Sequence, residues 1–243
     1  MEVIQSFLME RQYPPFNLKA VLFDMDGVLF DSMPNHSLSW HQVMATRGFE
    51  FSIEDAYMNE GRKGPDTIRR TLLKHGLTVS DEEIKAFYQE KTESFNLLQE
   101  PGLMPGSYEL LQKVVNDNII PVLVTGSAQS SLLDRLQLAF PGIFTKEHMV
   151  TAFDVEHGKP HPESYLQALK KCSLQPWETV VVENSPLGTE SAHRAGLFVI
   201  VVNTGPLPDE ILWESGANIL FSSMLELNES WTDVSRLFFS EKK

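Results

Sequence analysis

The sequence predicts an α/β fold, in which a doubly wound, Rossmann-like parallel sheet carries a helical unit inserted after its first strand. One observation is a set of short runs that are apolar throughout, as in strands buried on both faces. The other is that helical patterns separate these runs, which favours a parallel sheet. The runs lie at residues 20–23, 119–124, 180–182 and 199–202, with a weaker one at 219–221.

The helices between the runs are predicted from apolar residues that recur at three- and four-residue spacing. SYELLQKVVNDN precedes the second run and SSLLDRLQLAF follows it, while PESYLQALKKC precedes the third run and GTESAHRAG follows it. At the start of the chain, residues 1–16 are predicted to form a short appended helix or tail that ends at Pro14 and Pro15.

The helical insert is predicted because no continuous β run occurs between residues 34 and 102. Four segments have an amphipathic helical pattern instead: NHSLSWHQVMATRG, IEDAYMNE, DTIRRTLLKHG and DEEIKAFYQEKTESFNLLQE. Ser32 is the expected N-cap of the first helix and Gly48 its C-terminal stop.

The expected domain organisation follows from these elements. Residues 1–16 form the tail, residues 17–33 and 103–243 form the core domain, and residues 34–102 form a helical cap domain. The cap is expected to open and close about hinges at 31–35 and 101–106.

Composition excludes several classes of function. With 33 acidic and 20 basic residues, the formal net charge is −13, which disfavours nonspecific binding to nucleic acid or to an anionic membrane. Cys172 is the only cysteine, so an intrachain disulfide and a four-cysteine zinc site are excluded, and this side chain is expected to fill space on a helix.

The sequence shows neither a secretory leader nor an apolar run near 18 residues, so a cytoplasmic protein is expected. A monomer is also expected.

Polar side chains occur beside the predicted strands at matching positions. Asp24 and Asp26 follow the first strand, Thr125-Gly126-Ser127 follow the second, Gly158-Lys159-Pro160 come before the third, and Glu183-Asn184-Ser185 follow it. Ligands of open parallel sheets bind beyond the carboxyl ends of the strands, so these groups are expected to share one site. Taken singly, each has a structural explanation: an Asp can cap a helix, Thr125 can form a turn, and Lys159 can be a solvated charge.

Together, these residue types suit phosphoryl transfer. One carboxylate can attack phosphorus and form an aspartyl phosphate, and a second can protonate the leaving oxygen and later deprotonate water. Mg²⁺ prefers oxygen ligands and offsets the repulsion between carboxylate and phosphate. A hydroxyl, a lysine and backbone N–H groups can hold the remaining phosphate oxygens.

The order and spacing of DMDGV, VTGS, GKP and VVENSPLG resemble the four motifs of the haloacid dehalogenase superfamily, over all of the chain except its tail. The insert after the first motif resembles the C1-type cap of the β-phosphoglucomutase-like branch. Within that branch, KAVLFDMDGVLF, EGR, MVTAFDVEHGKP and NTGPL are similar to the bacterial inorganic pyrophosphatases.

The resemblance implies a role for each core motif. Asp24 would be the nucleophile, and Asp26 the acid and base whose backbone carbonyl also binds Mg²⁺. Thr125 and Lys159 would hold the transferring phosphoryl group, with Lys159 also neutralising Asp24. The dehalogenases of the superfamily lack the second Asp and the metal, so Asp26 favours phosphate chemistry.

The fourth motif departs from the pattern of the branch. Two adjacent acids are common there, whereas this chain has Glu183 and Asn184, which with Asp24 and Asp26 complete the implied metal ligands. The amide oxygen of Asn184 can bind Mg²⁺ but brings no charge. We therefore expect weaker Mg²⁺ binding in the empty site and better tolerance of a highly charged substrate.

Several further residues are candidates for the substrate-facing surface: His36, Glu60, Arg62, Lys63 and Lys91 in the cap, and Ser127 in the core. The resemblance places His36 at the first hinge and Lys91 on a cap helix that binds the distal phosphate. Glu60 would repel a dianion, so it is expected to pair with Arg62 or Lys91, or to hold a metal-bound water. A solvated helix face is the alternative for each of the cap charges.

The other histidines carry no such prediction. His41, His75 and His148 have no ligand spacing and are expected at the surface or in packing.

Three functions remain open from the sequence. The leading hypothesis is a Mg²⁺-dependent phosphohydrolase that forms a phospho-Asp24 intermediate on a small phosphorylated substrate, with inorganic pyrophosphate as the best single candidate. A β-phosphoglucomutase-like hexose-phosphate mutase shares the core motifs, but Glu60-Gly61-Arg62 departs from the sugar-binding loop of the mutases. A noncatalytic protein that binds a phosphorylated ligand would be marked by loss of Asp24 or Lys159, and both are present.

Overall fold

A six-stranded parallel sheet with the strand order β3-β2-β1-β4-β5-β6 forms the centre of the computed structural model, which describes residues 2–127 and 130–239. The strands are β1 (Ala20–Phe23), β2 (Ile120–Val124), β3 (Met149–Val150), β4 (Thr179–Glu183), β5 (Phe198–Val202) and β6 (Ile219–Phe221). This arrangement confirms the predicted fold class. The two-residue edge strand β3 is too short to produce an apolar run and was not predicted.

Helices surround the sheet and fill the insert. They are α1 (Glu2–Arg11), α2 (Met33–Ala45), α3 (Ile53–Met58), α4 (Gly64–Lys74), α5 (Asp81–Asn96), α6 (Ser107–Asn116), α7 (Ser130–Ala139), α8 (Glu163–Cys172), α9 (Pro186–Arg194), α10 (Asp209–Glu214) and α11 (Met224–Arg236). No helix in the described ranges has both the length and the apolar character that a membrane span requires.

Successive strand residues point to opposite faces of the sheet, and helices bury both faces. Val21 and Phe23 belong to one apolar cluster, to which α1, α6, α7 and α11 contribute. Ala20 and Leu22 belong to a second cluster, with α8, α9 and α10. The continuous apolar runs in the sequence thus reflect burial on two sides.

The first residues of the chain form a helix that packs on the core. In α1, Phe7 is buried, and its ring lies edge-on to Phe198 of β5 at 5.2 Å between centroids. The helix ends at Arg11, before the two prolines that were expected to stop it.

Helices α2 to α5 form a unit with an apolar cluster of its own, which includes Trp40, Ile68 and Phe87. Ser52 and Ser80 cap α3 and α5 through capping boxes. Ser32 precedes α2 as predicted, but its side chain makes no capping hydrogen bond, because it donates to a carboxylate of the site described below. The exact domain bounds and hinges remain predictions.

Strand register aligns the polar residues that follow the central strands. Phe23 pairs with Leu123 on one side and with Val182 on the other. The next positions along the three strands, Asp24, Val124 and Glu183, therefore lie level at the carboxyl edge of the sheet.

Candidate active site

A buried ion-pair cluster lies at the carboxyl ends of β1 and β4. The ammonium nitrogen of Lys159 is 2.6 Å from Asp24 Oδ1 and 2.6 Å from Glu183 Oε1, and it also donates to the carbonyl of Val124 at 3.2 Å. All three charged side chains are at most 5 % exposed. The structure thus brings together three of the residues predicted for the site.

Glu183 is fixed by donors on both of its oxygens. Oε1 accepts from the Tyr165 hydroxyl at 2.8 Å as well as from Lys159, and Oε2 accepts from the backbone N–H of Asn184 and from the hydroxyl of Ser185. A carboxylate held in this way positions the ammonium of Lys159 rigidly beside Asp24. Tyr165 was not predicted as a site residue, because no motif surrounds it on α8.

The electrostatics of the cluster bring the pKa of Asp24 close to neutral pH. Burial raises the pKa of Asp24 to about 7, with further contributions from the negative charges of Glu183 and Asp26, although Lys159 opposes this rise. Burial opposes the charge of Lys159, but the two carboxylates beside it outweigh that effect and hold its pKa above the ordinary value. Lys159 is therefore a permanent cation against Asp24.

Asp26 forms a second network with the insert. Its Oδ1 accepts from the Ser32 hydroxyl at 2.6 Å and contacts His36 Nε2 at 3.2 Å. On the other side of the imidazole ring, Nδ1 is 2.6 Å from the ammonium nitrogen of Lys91. His36 thus links the second carboxylate of the DMDGV motif to a buried lysine of α5.

The pKa values in this network are shifted by burial and by the close contacts. Burial would raise the pKa of Asp26, but the attraction of His36 and hydrogen bonds from His36 and Ser32 outweigh it, so the pKa is lowered. Burial lowers the pKa of Lys91 to about 7. Burial, followed by the charge of Lys91, also lowers the pKa of His36. Lys91 is therefore the group of this network that loses its proton near neutral pH, and His36 connects it to Asp26.

Glu60 of the insert reaches across to Asn184 of the core. Its Oε1 accepts from Asn184 Nδ2 at 3.0 Å. Sequence reasoning had offered Arg62 or Lys91 as its partner. Burial and then the charge of Asp24 raise the pKa of Glu60 well above the ordinary value, so its charged form is disfavoured until a cation arrives.

Two buried oxygens beside this contact have no hydrogen-bond partner within the described residues: Glu60 Oε2 and Asn184 Oδ1. A buried acceptor without a donor carries a free-energy cost that a bound cation can remove. Together with Asp24 and Asp26 they form an all-oxygen donor set, which fits the preference of Mg²⁺.

A cavity of about 60 Å³ opens between the core and the insert. Its lining includes Asp24, Asp26, Glu60, Arg62, Lys91 and Ser127. Thr125 is buried behind it, and its hydroxyl accepts from the backbone N–H of Ser127 at 3.0 Å. Arg62 donates through Nε to the side chain of Asn59 at 3.2 Å.

The loop that joins α3 to α4 is packed tightly against the core. Gly61 has a φ of +82°, and a Cβ atom there would lie 2.8 Å from Lys159 Cδ. A Cβ atom on Gly126, after β2, would lie 2.5 Å from the carbonyl oxygen of Gly61. Side chains at these two positions would hold the loop away from Lys159, so glycine is required for this approach.

Lys63, at the end of the loop that joins α3 to α4, binds this loop to the core through two hydrogen bonds. Its ammonium donates to the carbonyl of Val155 at 2.6 Å and to that of Glu156 at 2.9 Å. From the sequence, Lys63 was a candidate for the substrate-facing surface. In the structure it contacts the core loop that precedes Lys159, and it thereby holds the insert against the core.

The three histidines that were expected at the surface or in packing make only local contacts among the described residues. His41 Nδ1 is 3.0 Å from the carbonyl oxygen of Phe51, and the ring of His75 lies 5.0 Å from that of Phe49. His148 ends a short 3₁₀ segment before β3.

Comparison with known proteins places the site in a family. The haloacid dehalogenase-like hydrolase family matches residues 18–196. A solved structure of a Bacteroides vulgatus protein, provisionally described as a β-phosphoglucomutase, superposes with a TM-score of 0.95 at 50 % identity and covers 98 % of each chain. The chain is 33 % identical over 205 residues to a phosphorylated carbohydrates phosphatase of Thermotoga maritima, covering 82 % of this chain and 92 % of that one. It is 32 % identical over 187 residues to hexitol phosphatase A of Escherichia coli, covering 76 % of this chain and 83 % of that one. The protein belongs to the haloacid dehalogenase-like hydrolases and is an enzyme of that family, with β-phosphoglucomutase-like relatives.

Proposed function

We propose that the protein is a Mg²⁺-dependent phosphohydrolase that transfers the phosphoryl group of a small substrate first to Asp24 and then to water. The observation that carries the proposal is the buried Asp24–Lys159 pair at 2.6 Å, in which Asp24 lines the same small cavity as Asp26. A permanent cation beside Asp24 favours its ionised form as the phosphate approaches. The presence of both Asp24 and Lys159 removes the support for a noncatalytic role.

The first step forms a bond between a carboxylate oxygen of Asp24 and phosphorus and breaks the bond from phosphorus to the leaving oxygen. Asp26 gives a proton to that oxygen; because its lowered pKa leaves it ionised beforehand, this proton first reaches it from Lys91 through His36. In the second step Asp26 takes a proton from water, whose oxygen attacks phosphorus and releases Asp24 and inorganic phosphate. Lys159, Thr125 and Ser127 are the groups we assign to the phosphate oxygens.

The donors described above fit Mg²⁺, and Asp24, Asp26 and Asn184 would hold it. The ion supplies positive charge that reduces the repulsion between the anionic nucleophile and the anionic phosphate. Glu60 lies next to Asn184 and is available as a further oxygen donor or as the acceptor for a metal-bound water. Both oxygens of Glu183 are taken by protein donors, so its contribution is to hold Lys159.

For the substrate, we propose inorganic pyrophosphate as the first candidate. Support comes from the size of the cavity, since about 60 Å³ is well below the roughly 300–1,000 Å³ of most small-molecule pockets. The insert also contributes two basic side chains, Lys91 and Arg62, to the lining of the cavity. A leaving group that is itself a phosphate would suit these basic side chains.

Phosphorylated sugars are the second candidate, as substrates of a phosphatase or of a mutase. The relatives favour this candidate, because their names refer to phosphorylated carbohydrates, hexitol phosphates and β-phosphoglucomutase. A mutase requires that the insert hold a sugar bisphosphate while it excludes water from phospho-Asp24.

A substrate panel separates the candidates. Phosphate release from pyrophosphate, hexose phosphates, hexitol phosphates and nucleotides is measured with Mg²⁺, and Asp24→Asn serves as the inactive control. We expect kcat/KM to be highest for pyrophosphate. A coupled assay with β-glucose 1-phosphate runs in parallel, and efficient isomerisation there would replace the hydrolase proposal by the mutase.

A further inference from the structure

A second group of potential metal ligands lies outside the cavity, on the loop that carries Lys159. His157, His161 and Glu163 each offer one ligand atom, and these atoms lie within 4.8 Å of one another. Their side chains are 57 %, 51 % and 30 % exposed, so the cluster faces solvent. The proposed phosphoryl transfer uses none of the three.

The carboxylate of this cluster is held in position before any ligand binds. Glu163 accepts from the backbone N–H of Glu156 at 2.8 Å and from that of His157 at 2.9 Å. These two hydrogen bonds engage both oxygens of the carboxylate and fix its orientation. An ordered anion loses little conformational freedom when it binds a cation.

The imidazole rings of His157 and His161 both lie close to the carboxylate of Glu163. His157 Nδ1 lies 2.9 Å from Glu163 Oε2, and His161 Nδ1 lies 3.8 Å from the same oxygen. The two rings are 4.6 Å apart between centroids. Zinc–ligand bonds of about 2.0–2.2 Å in a tetrahedral site put ligand atoms about 3.4 Å apart, so the observed separations bracket the required one. Metal binding through these atoms would replace two hydrogen bonds: the one between His157 Nδ1 and Glu163 Oε2 at 2.9 Å, and the weak one from the backbone N–H of Glu163 to His161 Nδ1 at 3.3 Å.

The chemistry of these donors selects the type of ion. Two imidazoles and one carboxylate suit Zn²⁺, Co²⁺ or Ni²⁺, whereas Mg²⁺ prefers an all-oxygen set. Solvent exposure leaves room for water to complete the coordination. The cluster therefore differs in ion preference from the oxygen-lined cavity around Asp24.

We propose that His157, His161 and Glu163 bind a divalent transition-metal ion, with Zn²⁺ as the reference case. The site lies on the segment that also contains Lys159 and the two carbonyl groups that Lys63 binds, those of Val155 and Glu156. An ion that joins residue 157 to residue 163 closes a short loop around Lys159 and restrains it. Binding at this site does not depend on which substrate the cavity takes.

The test is a calorimetric titration of the full chain with Zn²⁺ in excess Mg²⁺, which keeps the oxygen-lined cavity occupied. We expect one Zn²⁺ site whose affinity falls at least tenfold in the double variant His157→Gln/His161→Gln, because losing only a hydrogen-bond partner of a ligand already costs roughly 10–100-fold in metal affinity. The matched control His75→Gln removes an exposed histidine of the insert and should bind as the unaltered protein does. Circular dichroism establishes that each variant is folded.

Hydrogen exchange provides an independent readout. Residues 155–161 should exchange more slowly when Zn²⁺ is added to the unaltered protein, and this slowing should disappear in the double variant. Equal Zn²⁺ affinity in the double variant and the unaltered protein would overturn the proposal, as would the absence of any Zn²⁺ binding in excess Mg²⁺.

Discussion

Replacing Lys63 with Met is expected to loosen the insert from the core and to slow turnover, although Lys63 is not among the residues that line the cavity. The ammonium of Lys63 donates to two backbone carbonyls of the core, at 2.6 and 2.9 Å. Met keeps much of the apolar stem but donates to neither carbonyl. The substitution therefore tests whether catalysis requires the docked insert.

The size of the effect follows from these two contacts. Hydrogen bonds to a charged group each contribute about 1.5–3 kcal/mol when they are shielded, and the contact with Glu156 is exposed, so we take about 1–2 kcal/mol for the pair. A change of that size in the free energy of docking alters the ratio of docked to undocked molecules by a factor of about 5–30. If the docked state carries out the chemistry, kcat/KM should fall by up to that factor, and the full factor applies where the undocked state predominates.

The assay is steady-state hydrolysis of the best substrate of the panel, with Lys74→Met as the matched control. Lys74 is an exposed lysine in the last turn of α4, so its variant makes the same change of charge without touching the core. Lys63→Arg retains the charge and the donors and should recover much of the activity. The reasoning is refuted if Lys63→Met keeps the full kcat/KM, or if Lys63→Arg is as slow as Lys63→Met.

Three further changes test other parts of the site. Asn184→Asp should bind Mg²⁺ more tightly in calorimetry, because it replaces a neutral oxygen ligand by a charged one. Unchanged Mg²⁺ affinity would contradict this. Gly126→Ala should lower kcat/KM with little change in the free energy of unfolding. The added Cβ would lie 2.5 Å from a backbone oxygen of the insert and would therefore push the insert away from the core. Full activity of this variant would exclude such close docking. In EDTA, the combined contribution of Asp24 and Lys91 to the free energy of unfolding should be smallest near pH 7. Asp24, with its pKa raised from 3.8 to about 7, binds more protons in the folded state and so loses stability as pH rises through that interval. Lys91, with its pKa lowered from 10.5 to about 7, binds more protons in the unfolded state and so gains stability from pH 7 upward. Urea titrations of Lys91→Met should lack this alkaline rise, and a rise of the same size in the variant would contradict the assignment.

Residues at the carboxyl edge of the sheet were predictable from the sequence because topology alone brings them together. Asp24 and Glu183 directly follow residues that pair in register, Phe23 with Val182. Any parallel sheet built from these apolar runs places both carboxylates at one edge, whatever the details of packing. Lys159 joins them because its loop returns to the same edge.

Contacts between the insert and the core were not predictable in this way. Glu60 meets Asn184 at a sequence separation of 124 positions, and Lys63 meets Val155 at a separation of 92. No periodicity or motif relates such positions, since their contact depends on how two separately packed units dock. The same reason explains Ser32, whose local pattern predicts a helix cap, whereas its hydroxyl bonds to Asp26.

The contact between Glu60 and Asn184 gives a physical reason for a neutral residue in the fourth motif. A second acid at position 184 would face the side chain of Glu60 at hydrogen-bonding distance, and the two carboxylates would repel each other strongly whenever both are ionised. With Asn184, the insert itself brings the additional carboxylate, and it does so only when docked. A cation bound beside Glu60 would stabilise the ionised carboxylate that burial now disfavours, so cation binding and docking favour each other. Asn184→Asp breaks this coupling because it supplies a carboxylate that is present whether or not the insert is docked. In that variant, Mg²⁺ affinity should no longer respond to a second substitution at Lys63, whereas in the unaltered protein Lys63→Met should weaken Mg²⁺ binding.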